Sequence, residues 1–113
     1  MAKDDYFVIV YKILDYLYFC LKSGKTPEAE MLMFDGGLFQ IHREYWVYIF
    51  DNLVKDGYIS GIHNVRVGNG YYISRQIPCC MITPKGIEYL MENSMMKKVV
   101  ETLKDIKSIM PVP

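Results

Sequence analysis

No apolar run in this chain is long enough to cross a bilayer. The longest, "YFVIVYKILDYLYFCL" (residues 6–21), is interrupted by Lys12 and Asp15, and a spanning helix needs roughly 20 predominantly apolar residues. A secretory leader is not legible either. Asp4 and Asp5 stand where its cations would be, and "CLKSGK" makes a poor cleavage site. The expectation is a cytoplasmic chain. Cysteine is scarce: the three cannot form a closed disulfide set, and Cys79 and Cys80 are adjacent, where bridging would strain the backbone. They read as buried or half-buried thiols in a reducing compartment. Net charge is absent as well, with 13 Lys and Arg against 13 Asp and Glu, so only the distribution of charge carries information.

The motifs of chemistry are missing too. His42, His63, Cys79 and Cys80 match no zinc spacing, and a Cys-Cys pair lacks the intervening residues of a chelating loop. "GNG" (68–70) is not a phosphate loop, because no lysine follows and it joins two extended runs instead of opening a helix. Apart from Glu44 near His42, neither histidine has a carboxylate close in sequence, and no nucleophile elbow or pair of acids appears. The chain is not expected to be an enzyme. No catalytic residue, metal, cofactor or small-molecule substrate is assigned.

What is present suits one soluble domain spanning residues 1–113: 51% apolar residues, 23% charged and ten tyrosines. That length supports a core without metal or disulfide staples, and tyrosine-rich surfaces are often contact surfaces. A first helix is predicted over about residues 4–22. Ile9, Ile13, Leu17 and Cys20 line its inner side, with Tyr6, Val10, Leu14 and Leu21 beside them. Val8 and Phe19 fall on the opposite side, among Lys12, Asp15 and Lys22. They are either scattered surface apolars or covered by a second element. A short second helix is predicted to about Phe34, capped by Thr26 with Pro27 in its first position, and ended by "DGG" (35–37).

A third helix begins at His42 or Arg43 and carries Trp46, Ile49, Phe50 and Leu53 inward. Gly57 reads as its left-handed terminator. Beyond it, "YISGIHNVRV" and "YYISRQI" read as two strands of a hairpin turning at Asn69-Gly70. Thr83 and Pro84 then open another helix, with Ile87, Leu90 and Met91 as its inner stripe. "ENS" (92–94) kinks or re-caps it near Asn93-Ser94. In the helical extension over 95–113, Met96, Val99, Leu103, Ile106 and Met110 form a heptad-like seam, which packs either on the first helix or on another copy. The fold class read from this order is α+β. Three helices, a β-hairpin wing and a C-terminal helix make a winged helix-turn-helix, with the third helix in the recognition position.

"YWVYIFDNLVKDGYISGI" and "MITPKGIEYLMENSMMKK" resemble the YjcQ-like proteins of bacteria and their phages and prophages. The likeness is strongest over residues 42–62 and 82–98, with a further match in "LKDIKSIMP". It implies a winged-helix fold and a phage or prophage setting. No catalytic or ligand residue carries over from it.

Charge is segregated along the chain. Residues 25–57 hold three cations against six acids, whereas 58–86 hold Arg66, Arg75 and Lys85 and no acid. For a reader of duplex DNA, the solvent side of the third helix would present His42, Arg43, Glu44, Val47, Tyr48, Asp51 and Lys55, an acidic handicap against phosphates. The wing is better suited. The nucleic-acid contacts assigned are Arg43, Tyr48, Lys55, Arg66, Arg75 and Lys85; the bland alternative is a solvated hairpin. Trp46 and the tyrosines could stack on bases, yet Trp46 sits on the inner stripe and is assigned to the core with Ile13, Leu17, Phe50 and Leu53. Of Tyr71 and Tyr72, beside the turn, at least one is expected exposed, unless cross-strand packing takes both. The expected partners are double-stranded DNA and a second copy, forming a homodimer through Val8, Phe19, Val99, Leu103, Ile106 and Met110. The alternative is a winged helix that serves protein interaction or dimerisation and binds no DNA.

Overall fold

The computed structural model describes residues 6–63, 65 and 75–105, with residue 105 described by its backbone alone. Among the described residues, five α-helices and one two-stranded antiparallel sheet make an α+β chain. In order these are α1 (Tyr6–Ser23), α2 (Ala29–Leu32), α3 (Arg43–Lys55) and β1 (Ile59–Ser60). A 3-10 turn (Ile77–Cys79), β2 (Met81–Ile82), α4 (Pro84–Glu92) and α5 (Ser94–Asp105) follow. Among these residues no helix is long and apolar enough to cross a membrane.

α1 is the central rod, packed against β2, α4 and α5. Because several elements surround it, its apolar burial is wider than one stripe: Val8, Ile9 and Val10 are all buried in succession. Val8 therefore belongs to the core and not to an outer face. Phe19 is half-buried beneath Lys25, whose Nζ lies 5.5 Å from the ring centre. Leu21, expected inside, is 42% exposed.

The second helix is shorter than its sequence suggests. Glu28, not Thr26, stands at the N-cap and forms no side-chain cap; its amide donates instead to the Tyr16 hydroxyl at 3.0 Å. Pro27 is buried ahead of the helix. The "DGG" turn folds back over the same helix, with the Gly37 amide on the Glu30 carbonyl at 2.8 Å. Lys12, from the polar side of α1, donates to the Leu38 carbonyl at 3.2 Å.

α3 begins where the sequence places it: His42 is the N-cap, and its Nδ1 accepts from the Glu44 amide at 3.1 Å. Trp46, Ile49, Phe50 and Leu53 are buried together with Ile13 and Leu17 of α1. The Trp46 Nε1–H donates to the Leu32 carbonyl at 2.8 Å, so the indole fills the core without leaving its polar atom unpaired. One contiguous core draws on every helix and on Ile59, Ile62, Val65, Ile77, Cys80 and Ile82.

At the C-terminal end Asn93 separates two helices: it closes α4 and caps α5, its Oδ1 accepting from Met95 and Met96 amides. Met96, Val99 and Leu103 are buried in the same core, and α5 packs on α1 and α4. The heptad-like seam thus faces its own chain. That corrects the dimer assignment of Val8, Val99 and Leu103, which have no surface left for another copy; Ile106 and Met110 lie outside the described residues. Met91 is also corrected, being half exposed and not part of the inner stripe.

Candidate nucleic-acid interface

The site is built around the corner that ends α3. Gly57 has φ +79°, a conformation glycine takes without a Cβ penalty. Around it the Tyr58 amide reaches the Leu53 carbonyl at 3.0 Å and the Gly57 amide reaches Val54 at 3.1 Å. This pair of bonds is the Schellman motif. Thr83 locks the corner from the other side. Its hydroxyl donates to the Gly57 carbonyl at 2.5 Å and accepts from the Gly86 amide at 3.0 Å, while its own amide donates to the Tyr58 carbonyl. One side chain therefore caps α4 and fastens it to the end of α3. Gly86 permits the approach, since a Cβ there would collide with the Tyr58 carbonyl.

Directly after the corner, β1 pairs antiparallel with β2 in the register Ile59 to Ile82 and Ser60 to Met81. This corrects the hairpin read from sequence. The strand that meets β1 is 81–82, and residues 75–77, the described end of "YYISRQI", are helical where strand was expected. Pairing ends at Gly61, φ +91°, where a Cβ would strike the Cys79 carbonyl. Beyond it the Gln76 amide substitutes for a strand, its Oε1 accepting from the His63 amide at 2.6 Å and its Nε2 donating to the His63 carbonyl at 3.2 Å. The turn at Asn69-Gly70, Tyr71, Tyr72 and the candidate Arg66 lie outside the described residues.

The remaining candidates are placed as follows. Arg75 and Lys85 are exposed on the acid-free segment. The Lys85 Nζ lies 5.6 Å from the Tyr58 ring centre, and Tyr58 stacks on Tyr89 at 4.4 Å. Lys85 approaches the α3 corner, its Cδ 3.8 Å from where a Gly57 Cβ would stand. Lys55 is in the last turn of α3 and Arg43 in the first, some 18 Å apart at helical rise. Both are already engaged with acids: Arg43 with Glu44 at 3.7 Å, and Lys55 with Asp51 at 3.2 Å. Asp51 corrects a sequence reading, for it is buried and not part of the solvent face. Tyr48 is half exposed on that face, edge-on to Tyr6 at 6.2 Å. The structure thus brings Lys55 and Lys85 to one end of α3 and leaves Arg43 at the other.

Sequence reasoning missed the phenols that converge at that end. Tyr6 of α1, Tyr58 and Tyr89 gather around Asp56, and burial pushes the Tyr6 hydroxyl up to about 12, with Tyr89, Asp56 and Tyr48 adding to the effect. Burial raises Tyr58 and Tyr89 as well, so these three phenols stay neutral at ordinary pH. Tyrosine abundance was the signal, but these residues are far apart in sequence. The cysteines also cluster: Cys20, Cys79 and Cys80 line one cavity of about 210 Å³ between the end of α1 and the 3-10 turn. Burial pushes the Cys80 thiol up to about 12 and raises Cys20 as well, whereas Cys79 is exposed. Among the described residues no group of three or more His, Cys, Asp or Glu side chains is arranged to hold a metal ion.

Among curated proteins and among solved structures, no match to this chain is found. The profile of one protein family, described as YjcQ protein, matches residues 11–109. That span takes in all of the corner, the strand pair and α2 to α5, and the chain belongs to the YjcQ family.

Proposed function

We propose that this chain is a non-enzymatic winged-helix module that binds duplex DNA in the cytoplasm, mainly through the acid-free arm between β1 and α4. The observation that carries the reading is the strand pair set directly on the corner of α3. It ties both ends of residues 61–80 beside that helix, the relation of a wing to a recognition helix. The arm and the first turn of α4 contain Arg66, Arg75 and Lys85 without an acid. Phosphate contacts supply most sequence-independent affinity, and a carboxylate nearby would oppose them. α3 contributes less, because Arg43 and Lys55 are each held by an acid. The phage or prophage setting implied by the sequence resemblance suits a small DNA-binding protein.

Retention of the intact chain on immobilised duplex DNA at rising salt tests this. Three phosphate contacts give a slope of log K against log salt of about −3. Reversing Arg66, Arg75 and Lys85 to Glu is expected to abolish retention at low salt. Undiminished retention of that triple variant would refute the arm as the contact.

A further inference from the structure

The outer face of α3 contributes little to this DNA contact. Glu44, Tyr48, Asp51 and Lys55 follow one another along it at spacings of four, three and four, a single helical stripe. Asp51 is sunk beneath the stripe, while the Glu44 and Lys55 side chains are 74% and 63% exposed. The face therefore offers a carboxylate at its N-terminal end, a half-exposed tyrosine in the middle and an ammonium at its C-terminal end, the first shared with Arg43 and the last with Asp51 of the same chain. Asp56 adds an exposed acid just past that end. A polyanion gains little from such a surface.

We propose that this stripe is a two-fold contact with a second copy of the same chain. Aligned antiparallel about the middle of α3, Glu44 opposes the partner's Lys55 and Lys55 opposes the partner's Glu44. Parallel alignment would instead place like charge on like charge, so the charge order selects the antiparallel, closed arrangement. Tyr48 sits near the dyad with Tyr6 edge-on to it, and a ring backed in this way is a fit central anchor. This interface replaces the one expected from Val8, Val99 and Leu103, and it does not depend on the DNA reading. If both hold, the dimer carries two arms, and joint engagement strengthens binding without new contacts.

Sedimentation velocity of the full chain, without nucleic acid and at low salt, tests the proposal. With rising concentration the mass is expected to double from the 13.2 kDa of one chain. Glu44→Lys sets lysine against the partner's Lys55 and is expected to weaken association ~10-fold or more. Adding Lys55→Glu to it restores both pairs with reversed sign and should restore the dimer. Tyr48→Glu, at an exposed position, is an independent variant expected to leave monomers, and thermal melts show that each variant is folded. A single-chain mass at the highest concentration overturns the proposal. So does a dimer insensitive to Glu44→Lys and Tyr48→Glu, or a folded double swap that stays monomeric. Loss of DNA retention in Tyr48→Glu with no change of mass would show α3 facing nucleic acid, and would also overturn it.

Discussion

Thr83→Val removes one hydroxyl and leaves the side-chain shape nearly unchanged, so its effect isolates the two bonds at the corner. That hydroxyl donates to the Gly57 carbonyl at 2.5 Å and accepts from the Gly86 amide at 3.0 Å. Loss of an N-cap costs about 1 kcal/mol. Taking the donor from the part-buried Gly57 carbonyl adds about 1–2 kcal/mol. The expected loss is therefore about 2–3 kcal/mol, or roughly 8–12 °C in Tm for a domain of this size. Trp46, the single tryptophan and wholly buried, reports urea unfolding by its fluorescence. The midpoint should fall while the slope holds, because no further surface is exposed on unfolding. Thr83→Ser keeps the hydroxyl and should recover most of the loss. Amide exchange at Ile59 and Ser60, just beyond the corner, should quicken in Thr83→Val. A Val variant within about 0.5 kcal/mol of wild type, or a Ser variant as damaged as Val, would refute the reasoning.

Trp46→Ala empties the centre of the core and strips the Leu32 carbonyl of its donor; it should cost about 3–5 kcal/mol in the same urea assay. Asp15→Asn should raise stability at neutral pH. Burial raises the Asp15 carboxyl above the usual carboxylate range, with Lys22 only partly opposing. The folded chain thus holds that proton more tightly than the unfolded chain. Stability from this group is complete below the unfolded value near 3.8 and is lost as pH rises through the folded one, so at pH 7 the ionised residue is a burden. Melts of the two proteins should differ at pH 7 and converge toward pH 3.

Local chemistry was legible, and partners distant in sequence were not. The start of α3 at His42, its stop at Gly57, the cap at Thr83 and the break at Asn93 each depend on a few adjacent residues, and the sequence shows them directly. The strand partner of β1 lies some twenty residues on, and intervening β-branched and aromatic residues misled the reading, since strand propensity yields easily to context. In the structure Pro78 sits in a 3-10 turn and the Gln76 amide stands in for a strand. Helical periodicity likewise counts one buried face. It failed at Val8, where several elements surround α1, and at Asp51, drawn inward beside Lys55. The seam of α5 was visible as a stripe, but a stripe does not name its partner. At the candidate site the cations and the acids beside them, Glu44 next to Arg43 and Asp51 four residues before Lys55, are local in sequence, whereas the approach of Lys85 to the α3 corner required the fold.

Salt alone does not separate the two proposed contacts, because screening weakens both. Different responses to single charges do. Glu44→Lys breaks the proposed two-fold pairing, so the mass should fall to that of one chain and duplex DNA should lose the joint engagement of two arms, while the affinity of a single arm is kept. Lys85→Glu acts in the first turn of α4 and is not a member of the α3 stripe; it should reduce DNA retention and leave the sedimenting mass unchanged. If instead Lys85→Glu alters mass as much as retention, the two surfaces are one, and the assignment of DNA to the arm and a second copy to α3 fails at that residue.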